Sequence, residues 1–522
     1  MLKMGRKLWR LLNRSRYLIK LIIGFRALKS ASDIPKQQRA RRALLQQFSD
    51  ARGVTMKVGQ LIAAAAAPDD ELSVLTKSIS PVPLKQILPA IEQALGCGWQ
   101  QVFKSIDQSF AAASLGQVHH AVLLNGDEVA IKVQYPGIDE AISAEMSLLG
   151  LLPKAGPVKQ WQFDLDAYRQ ALKDNMQAEL DYRHEADTQS FFHKHLMLPG
   201  LVVPKVYADL TRQTLLVQSW EEGQYIESVA GWSQPAREKV AKTLLALLLK
   251  SLFQIRRLHA DPHMGNSYYR FNAEQGVEIV LMDFGCSIEL TEQQSLALLK
   301  LIIASKEKLP IAPLKYFQAM GFESQKLRHI EPYLPKLCEY LFQPFICTNK
   351  FALQQWMLAK NISELLAEQR WWFRSAGPAE LIFVMRAFQG LAQQLLLVKA
   401  DINWWQVLLE SIPAELLNRA RNFEPTDIAV TNDSGVLTLK AIARSLKVKV
   451  SHAGLTKVEV DLPAEAVLEL EAFIPQDIQL KLKQTSDINL QNIQENVRRS
   501  GLAAQSVFDF EEGESRYQVW LE

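Results

Sequence analysis

The sequence predicts an α+β fold of two lobes, with a helical extension before them and a separate small α+β module after them. Three observations point to it. Two β-rich runs, 117–124 and 128–134, flank Asn125-Gly126-Asp127, a strong hairpin signal, and so open a strand-rich lobe. Residues 235–258 and 291–420 are predominantly helical and supply a second lobe. From about Glu424 the texture changes to alternating short runs at 436–439, 448–450 and 457–462, over about a hundred residues, the size of a small domain.

With 522 residues, 48% of them apolar and 22% charged, the chain can bury several cores. Its longest apolar stretches, 244–249 and 296–304, are too short or too lysine-interrupted to span a bilayer, so the protein is expected not to be integral. Cys97, Cys286, Cys338 and Cys347 form no C-x-x-C pair, which argues against a zinc site or disulfide framework and fits a reducing cytosol.

The net charge of +3 is unevenly spread: residues 1–42 carry 13 Lys or Arg against the single acid Asp33. Within this arm Leu8, Leu11, Leu12, Leu18, Ile22 and Phe25 recur at roughly helical spacing among the bases, as in a helix lying on an anionic membrane surface. A secretory signal is the main rival, opposed by Lys20 within its apolar region; a solvated or core-packed basic helix is the other alternative. The net-acidic remainder, without an aromatic-basic array, argues against nucleic acid.

Residues 43–110 read as a helical extension holding Lys57-Val58-Gly59-Gln60, then the alanine run 63–67 and the breaker Pro68-Asp69-Asp70. Residues 111–223 form the first lobe, 224–423 the second and 424–522 the last module. Within the first lobe, 164–197 reads as one long helix. Its stripe Tyr168, Leu172, Met176, Glu179, Tyr182, Ala186 turns Glu179 toward the core, where a carboxylate needs a cationic partner. Glu221-Glu222-Gly223 looks like a hinge.

Two segments carry the most chemistry: His259-Ala-Asp261-Pro-His263-Met-Gly-Asn266 and, seventeen residues after Asn266, Asp283-Phe284-Gly285. Phosphoryl transfer needs a divalent cation on the nucleotide phosphates, held by hard oxygen ligands, and a carboxylate near the attacking group. Asp261 and Asn266 have the spacing of a kinase catalytic loop, and Asp283 opens a D-F-G after the apolar strand 279–282. Val129-Ala-Ile-Lys132 ends a hairpin strand, where a kinase places the lysine that holds the α and β phosphates; Glu179 is its expected helix-borne partner. These assignments make Asp261, Lys132 and Glu179 the catalytic set and Asn266 and Asp283 the metal ligands. His259 and His263 hold the loop or act in acid-base chemistry, and Cys286 is an inert buried thiol or a reactive one. His119, His120 and His184 show no metal-ligand spacing.

In place of a kinase glycine loop stands Ala111-Ala112-Ala113-Ser114 with Gly116-Gln117-Val118, which resembles the alanine-rich loop of the UbiB/ADCK family. Lys57-Val-Gly59-Gln60 is similar to that family's K-x-G-Q motif, Glu179-Leu-Asp181 with Glu185 to its E-x-D segment, and H-A-D-P-H-x-G-N to its form of the catalytic loop. The resemblance covers roughly residues 40–400. It implies an atypical protein-kinase-like two-lobed fold that binds ATP with Mg2+, has ATPase activity, and serves ubiquinone or other isoprenoid-lipid metabolism at membranes. It also implies that Lys57, Gly59, Gln60, Asp181 and Glu185 form a lid over the site. The nucleotide is expected against Ala112, Ala113, Ser114, Lys132, Gln218 and Trp220.

Two features depart from the family pattern: alanines 63–67 stand where a Ser-Arg-Asp-type stretch is usual, and the module 424–522 stands where many bacterial relatives carry transmembrane helices. The leading expectation is an ATPase or phosphotransferase, peripheral on the cytoplasmic face of the membrane, with an isoprenoid or quinone-like lipid and possible protein partners of the last module. The alternative is a nucleotide-binding pseudokinase acting as a lipid-binding or scaffolding protein.

Overall fold

A computed structural model describes residues 82–112, 115–139, 142, 161, 163–261, 263–272, 276–425, 443, 445–453, 455–469, 497, 505–512 and 515–522. The basic arm and Lys57, Gly59, Gln60, Ala113 and Ser114 therefore lie outside the described residues.

The first lobe is a four-stranded antiparallel sheet in the order β1(Phe103–Ala112), β2(Gly116–Leu123), β3(Glu128–Gln134), β5(Leu215–Ser219). Strand structure thus begins at Phe103, inside the segment expected to be a helical extension to residue 110. Pleating sorts the residues: Val129, Ile131, Val133, Leu215 and Val217 turn one way, onto Ile87 and Ile91 of helix α1(Leu84–Leu95), in one buried core. Lys132 turns the other way, in register with Val118 and Leu216. The hairpin is where the sequence put it, with Gly126 at φ +94° and Asn125 Oδ1 accepting from the Asp127 amide at 3.0 Å.

The helix read as continuous over 164–197 is two, α2(Leu165–Glu179) and α3(Tyr182–His195). Asp181 makes the break: it is extended (φ −115°, ψ 99°), and its carboxylate accepts from the Arg183 amide as the cap of α3. The apolar stripe consequently restarts at Tyr182, and Glu185, Ala186, Gln189 and Phe192 become its buried face.

Helix α4(Gln234–Phe253) runs through the second lobe and is nearly charge-free from Leu244 to Leu249, as suits a central helix buried on most sides. Around it pack α5(Glu292–Glu307), started by a Thr291/Gln294 capping box, and α6(Leu381–Val398). Two small sheets sit at the edge facing the first lobe: β4(Leu201–Val202), β8(Gly276–Leu281) and β7(Ser267–Asn272), and the pair β6(Arg257–His259) with β9(Ser287–Glu289). By length and composition α6 could cross a membrane, but 44% of its apolar window is buried within the protein and Arg386 lies inside it.

In the last module, β10(Ser445–His452), β11(Leu455–Pro463), β12(Gln505–Glu512) and β13(Ser515–Leu521) form an antiparallel sheet ordered β11-β10-β13-β12, with Leu446, Val467, Phe510, Val519 and Leu521 in a core of its own.

Candidate nucleotide and phosphoryl-transfer site

The loop between β6 and β7 holds Asp261 and Asn266, and the loop between β8 and β9 holds Asp283. Pairing of Ser267 with Leu281 and of His259 with Ser287 brings the two loops side by side. The link is tightened by two backbone bonds, Met282 N to Asn266 O at 2.8 Å and Ala260 N to Cys286 O at 3.0 Å. Asn266 and Asp283 are thus neighbours although distant in sequence. Asp283 adopts φ +58°, a left-handed conformation that a non-glycine residue takes only when its surroundings hold it there. The holders are identifiable: its Oδ1 accepts from the Gly285 amide at 3.2 Å, and its carbonyl accepts from His259 Nε2 at 2.7 Å.

Both loop histidines are engaged in this scaffold. His259 also packs edge-on against Phe284, which packs on Phe192 of α3, and His263 Nδ1 accepts from the Gly265 amide at 3.0 Å. Of the two readings open for them, loop-holding is the one their contacts fit. Cys286 is buried and receives a hydrogen bond from Asn175 at 3.2 Å, as fits an inert thiol.

Above these loops hangs Lys132. Its Nζ meets Glu185 at 2.7 and 2.9 Å and Asp283 Oδ2 at 3.2 Å, and lies over the Tyr182 ring. This corrects the expected pairing: the helix-borne partner of Lys132 is Glu185, not Glu179. The break at Asp181 is the cause, since it rephases the second helix and aims Glu185 at the sheet. Glu179 is still buried beside the site, its Cγ 3.5 Å and a Glu185 oxygen 3.6 Å from where a Cβ on Gly285 would stand. Gly116 is required for a similar reason: a Cβ there would lie 2.1 Å from the Val133 carbonyl and 2.9 Å from the Tyr182 hydroxyl.

Burial opposes the charge on Lys132, but Asp283 and Glu185 outweigh it and hold the ammonium well above its ordinary range. Burial pushes Glu185 up to about 7, with Asp283 and Glu179 adding to the rise and Lys132 opposing it. Acidic groups outnumber cations here, which suits a site completed by a divalent cation.

Asp261 has a different setting. Its Oδ1 lies 2.5 Å from Nη2 of Arg386, both side chains being more than nine-tenths buried, beside Phe383 and Ala260. Sequence reasoning missed Arg386, although its signal was present: it is the one charged residue of α6, and it falls on the buried stripe Phe383, Arg386, Gly390, Gln394. The same test had singled out Glu179.

Of the remaining expected residues, Ala112 pairs with Gln117 at the end of β1, next to the turn into β2. Gln218 lies on the Lys132 face of the sheet, in register with Ala130. Trp220 is turned toward the rim: its ring packs on His120 at 4.6 Å and its indole donates to Glu222 at 3.2 Å. Asp181, expected in a lid, caps α3 and pairs with Arg183 at 2.6 Å.

Helix α2 spans the cleft. Met176 belongs to the first-lobe core, with Leu172 against it, whereas Ala171 packs on the cluster of Ala260, Cys286 and Phe383 in the second lobe.

Residues 74–308 match the ABC1 atypical kinase-like domain. The atypical kinase COQ8B, mitochondrial, of Rattus norvegicus is 32% identical over 253 residues, covering 47% of this chain and 47% of that protein. AarF domain-containing protein kinase 1 of Xenopus laevis is 31% identical over 284 residues, covering 52% of this chain and 54% of its own length. The chain thus spans about half the length of these curated relatives. The solved structure of a complex of Rv3197 and erythromycin from Mycobacterium tuberculosis covers 72% of this chain and 96% of its own at 24% identity and a TM-score of 0.47.

Proposed function

We propose, for a chain whose residues 74–308 place it in the ABC1 atypical kinase-like, UbiB/ADCK family, that it binds ATP with Mg2+ between its lobes and hydrolyses it or passes its phosphoryl group to a small acceptor. The observation that carries the reading is Lys132, which meets both Glu185 of α3 and Asp283 of the second lobe, the pairing that a phosphate-holding lysine needs when the cleft is closed. In this reading Lys132 holds the α and β phosphates, with Val118, Ala130, Leu216 and Gln218 beneath the base. Asn266 and Asp283 would hold the cation, and their adjacency through the Met282–Asn266 bond fits that role. The cation supplies charge neutralisation on the phosphate oxygens. Asp261 takes the proton of the attacking water or hydroxyl.

The position of α2 favours hydrolysis or a small acceptor over a protein acceptor, because its Ala171 and Asn175 pack on Ala260 and Cys286, which directly adjoin Asp261 and the Asp283-Phe284-Gly285 turn. The family resemblance makes an isoprenoid or quinone-like lipid the acceptor or effector to try first, on an anionic membrane at the cytoplasmic face. The decisive experiment is steady-state MgATP turnover by the purified protein, with and without lipid, beside Asp261→Asn and Asp283→Asn. Turnover lost in the first with binding kept, and Mg2+-dependent binding lost in the second, is the expected result. Nucleotide binding without any turnover in the parent would favour the pseudokinase alternative instead.

A further inference from the structure

We propose that Arg386, on a helix more than a hundred residues after the catalytic loop, is a positioning residue for Asp261: its guanidinium fixes the carboxylate in the orientation from which it meets the attacking group. The proposal rests on the reading of Asp261 as the proton acceptor of phosphoryl transfer. Three observations support it. Arg386 lies only 6% exposed within the otherwise uncharged helix α6, where burying a guanidinium is costly unless a carboxylate meets it. Among the described residues its Nε and Nη1 donate to no acceptor, so it is not a general clamp for backbone carbonyls; Nη2 goes to Asp261 Oδ1 at 2.5 Å. The contact also draws on the neighbours of the site, since burial weakens the charge on Arg386 while Asp261, Cys286, Glu179 and Asp283 restore it, holding its pKa above the ordinary value.

The geometry defines what Arg386 does. A carboxylate has two oxygens; a guanidinium anchored in a packed helix holds Oδ1 and thereby sets the plane and direction of the other. Asn266 fixes the same residue from the backbone side, its amide donating to the Asp261 carbonyl at 3.4 Å. Helix α6 thereby extends the support of this loop to a helix far from it in sequence.

The test compares the full-length parent with Arg386→Ala, Arg386→Lys and Arg386→Met. In the alanine and methionine variants kcat for MgATP should fall about a hundredfold, the usual consequence of a misplaced catalytic group, with KM for ATP and the MgATP-induced rise in melting temperature nearly unchanged. Arg386→Lys should recover part of kcat, and low-millimolar guanidinium, compared with equal sodium chloride, should raise the rate of Arg386→Ala. Unaltered kcat in a folded variant, or kcat and KM worsening together without rescue, overturns the proposal and leaves Arg386 a packing residue. A parent without turnover would instead sink the ATPase reading, and the pairing is then decided by unfolding: Arg386→Met should lower the melting temperature, and adding Asp261→Asn should restore part of the loss. If the double variant is no better than the single one, Arg386 does not serve Asp261.

Discussion

The two charged centres of the cleft are built in opposite ways. At the first-lobe side one ammonium, Lys132, is shared between Glu185 and Asp283, with Glu179 close by and Asp283 a third exposed. At the second-lobe side one guanidinium, Arg386, is buried with Asp261 beside Ala260, Cys286 and Phe383. The first centre is rich in negative charge and adjustable, because Glu185 can take up a proton, which fits the arrival of a cation as proposed above. The second is balanced and fixed. A phosphoryl-transfer site needs both, a place whose charge changes when the nucleotide and cation arrive and a group whose orientation does not.

The comparison can be broken at its rigid end first. Arg386→Met should destabilise the protein by about 3–5 kcal/mol, the cost of leaving a buried carboxylate without its cation, as measured by urea unfolding in the absence of nucleotide. A loss near zero would mean that the pocket is wetter than its burial implies. At the adjustable end, Lys132→Ala should cost less, about 1–3 kcal/mol, because Glu185 escapes by protonation. Its larger effect should be loss of the MgATP-induced rise in melting temperature, read by calorimetry.

Protonation itself gives the third check. Glu185 stands at about 7 in the folded protein against an ordinary 4.5, so between these values the folded state binds a proton that the unfolded chain has released. Stability should therefore fall as pH rises through that window, by about 1–3 kcal/mol, and Glu185→Gln should flatten the slope. A parent whose stability stays level over the same window would show that Lys132 holds Glu185 ionised throughout. The smallest effect is expected at Asp181→Ala, about 1 kcal/mol from loss of the α3 cap, with the MgATP response retained. A lost nucleotide response there would return Asp181 to the site.

Much of this was legible in the sequence because the motifs are local. Asp261, Asn266 and Asp283 come to one place because short strands on either side of each loop pair in register, and strand runs can be read from composition. Lys132 follows from the hairpin signal. The partner of Lys132 was not legible in the same way: counting one period across 164–197 assigned the inward carboxylate to Glu179, and only the capping geometry of Asp181 shifts the phase to Glu185. A capping aspartate inside a long amphipathic pattern is a weak sequence signal, since Asp is also common on exposed helix faces. Arg386 failed for another reason. It is far from every motif in the chain, and its meaning depends on which helix packs beneath the catalytic loop.

Helix α2 has a dynamic consequence. The chain crosses between the lobes at 220–224, where Gln224 pairs with Tyr269 and Arg270 grips Glu221 at 3.0 Å, and also on either side of β4, which pairs with β8. The lobes are joined again by α2, whose Leu172 and Met176 pack on the first-lobe core while Ala171 and Asn175 reach Ala260, Cys286 and Phe383 of the second lobe. A clamshell with a strut across its mouth cannot gape about its hinge alone; either the strut detaches from one lobe or the lobes rotate about the line connecting hinge and strut. In the MgATP reading proposed above, nucleotide exchange would be gated by whatever loosens α2, and release of the product would then set the pace of turnover.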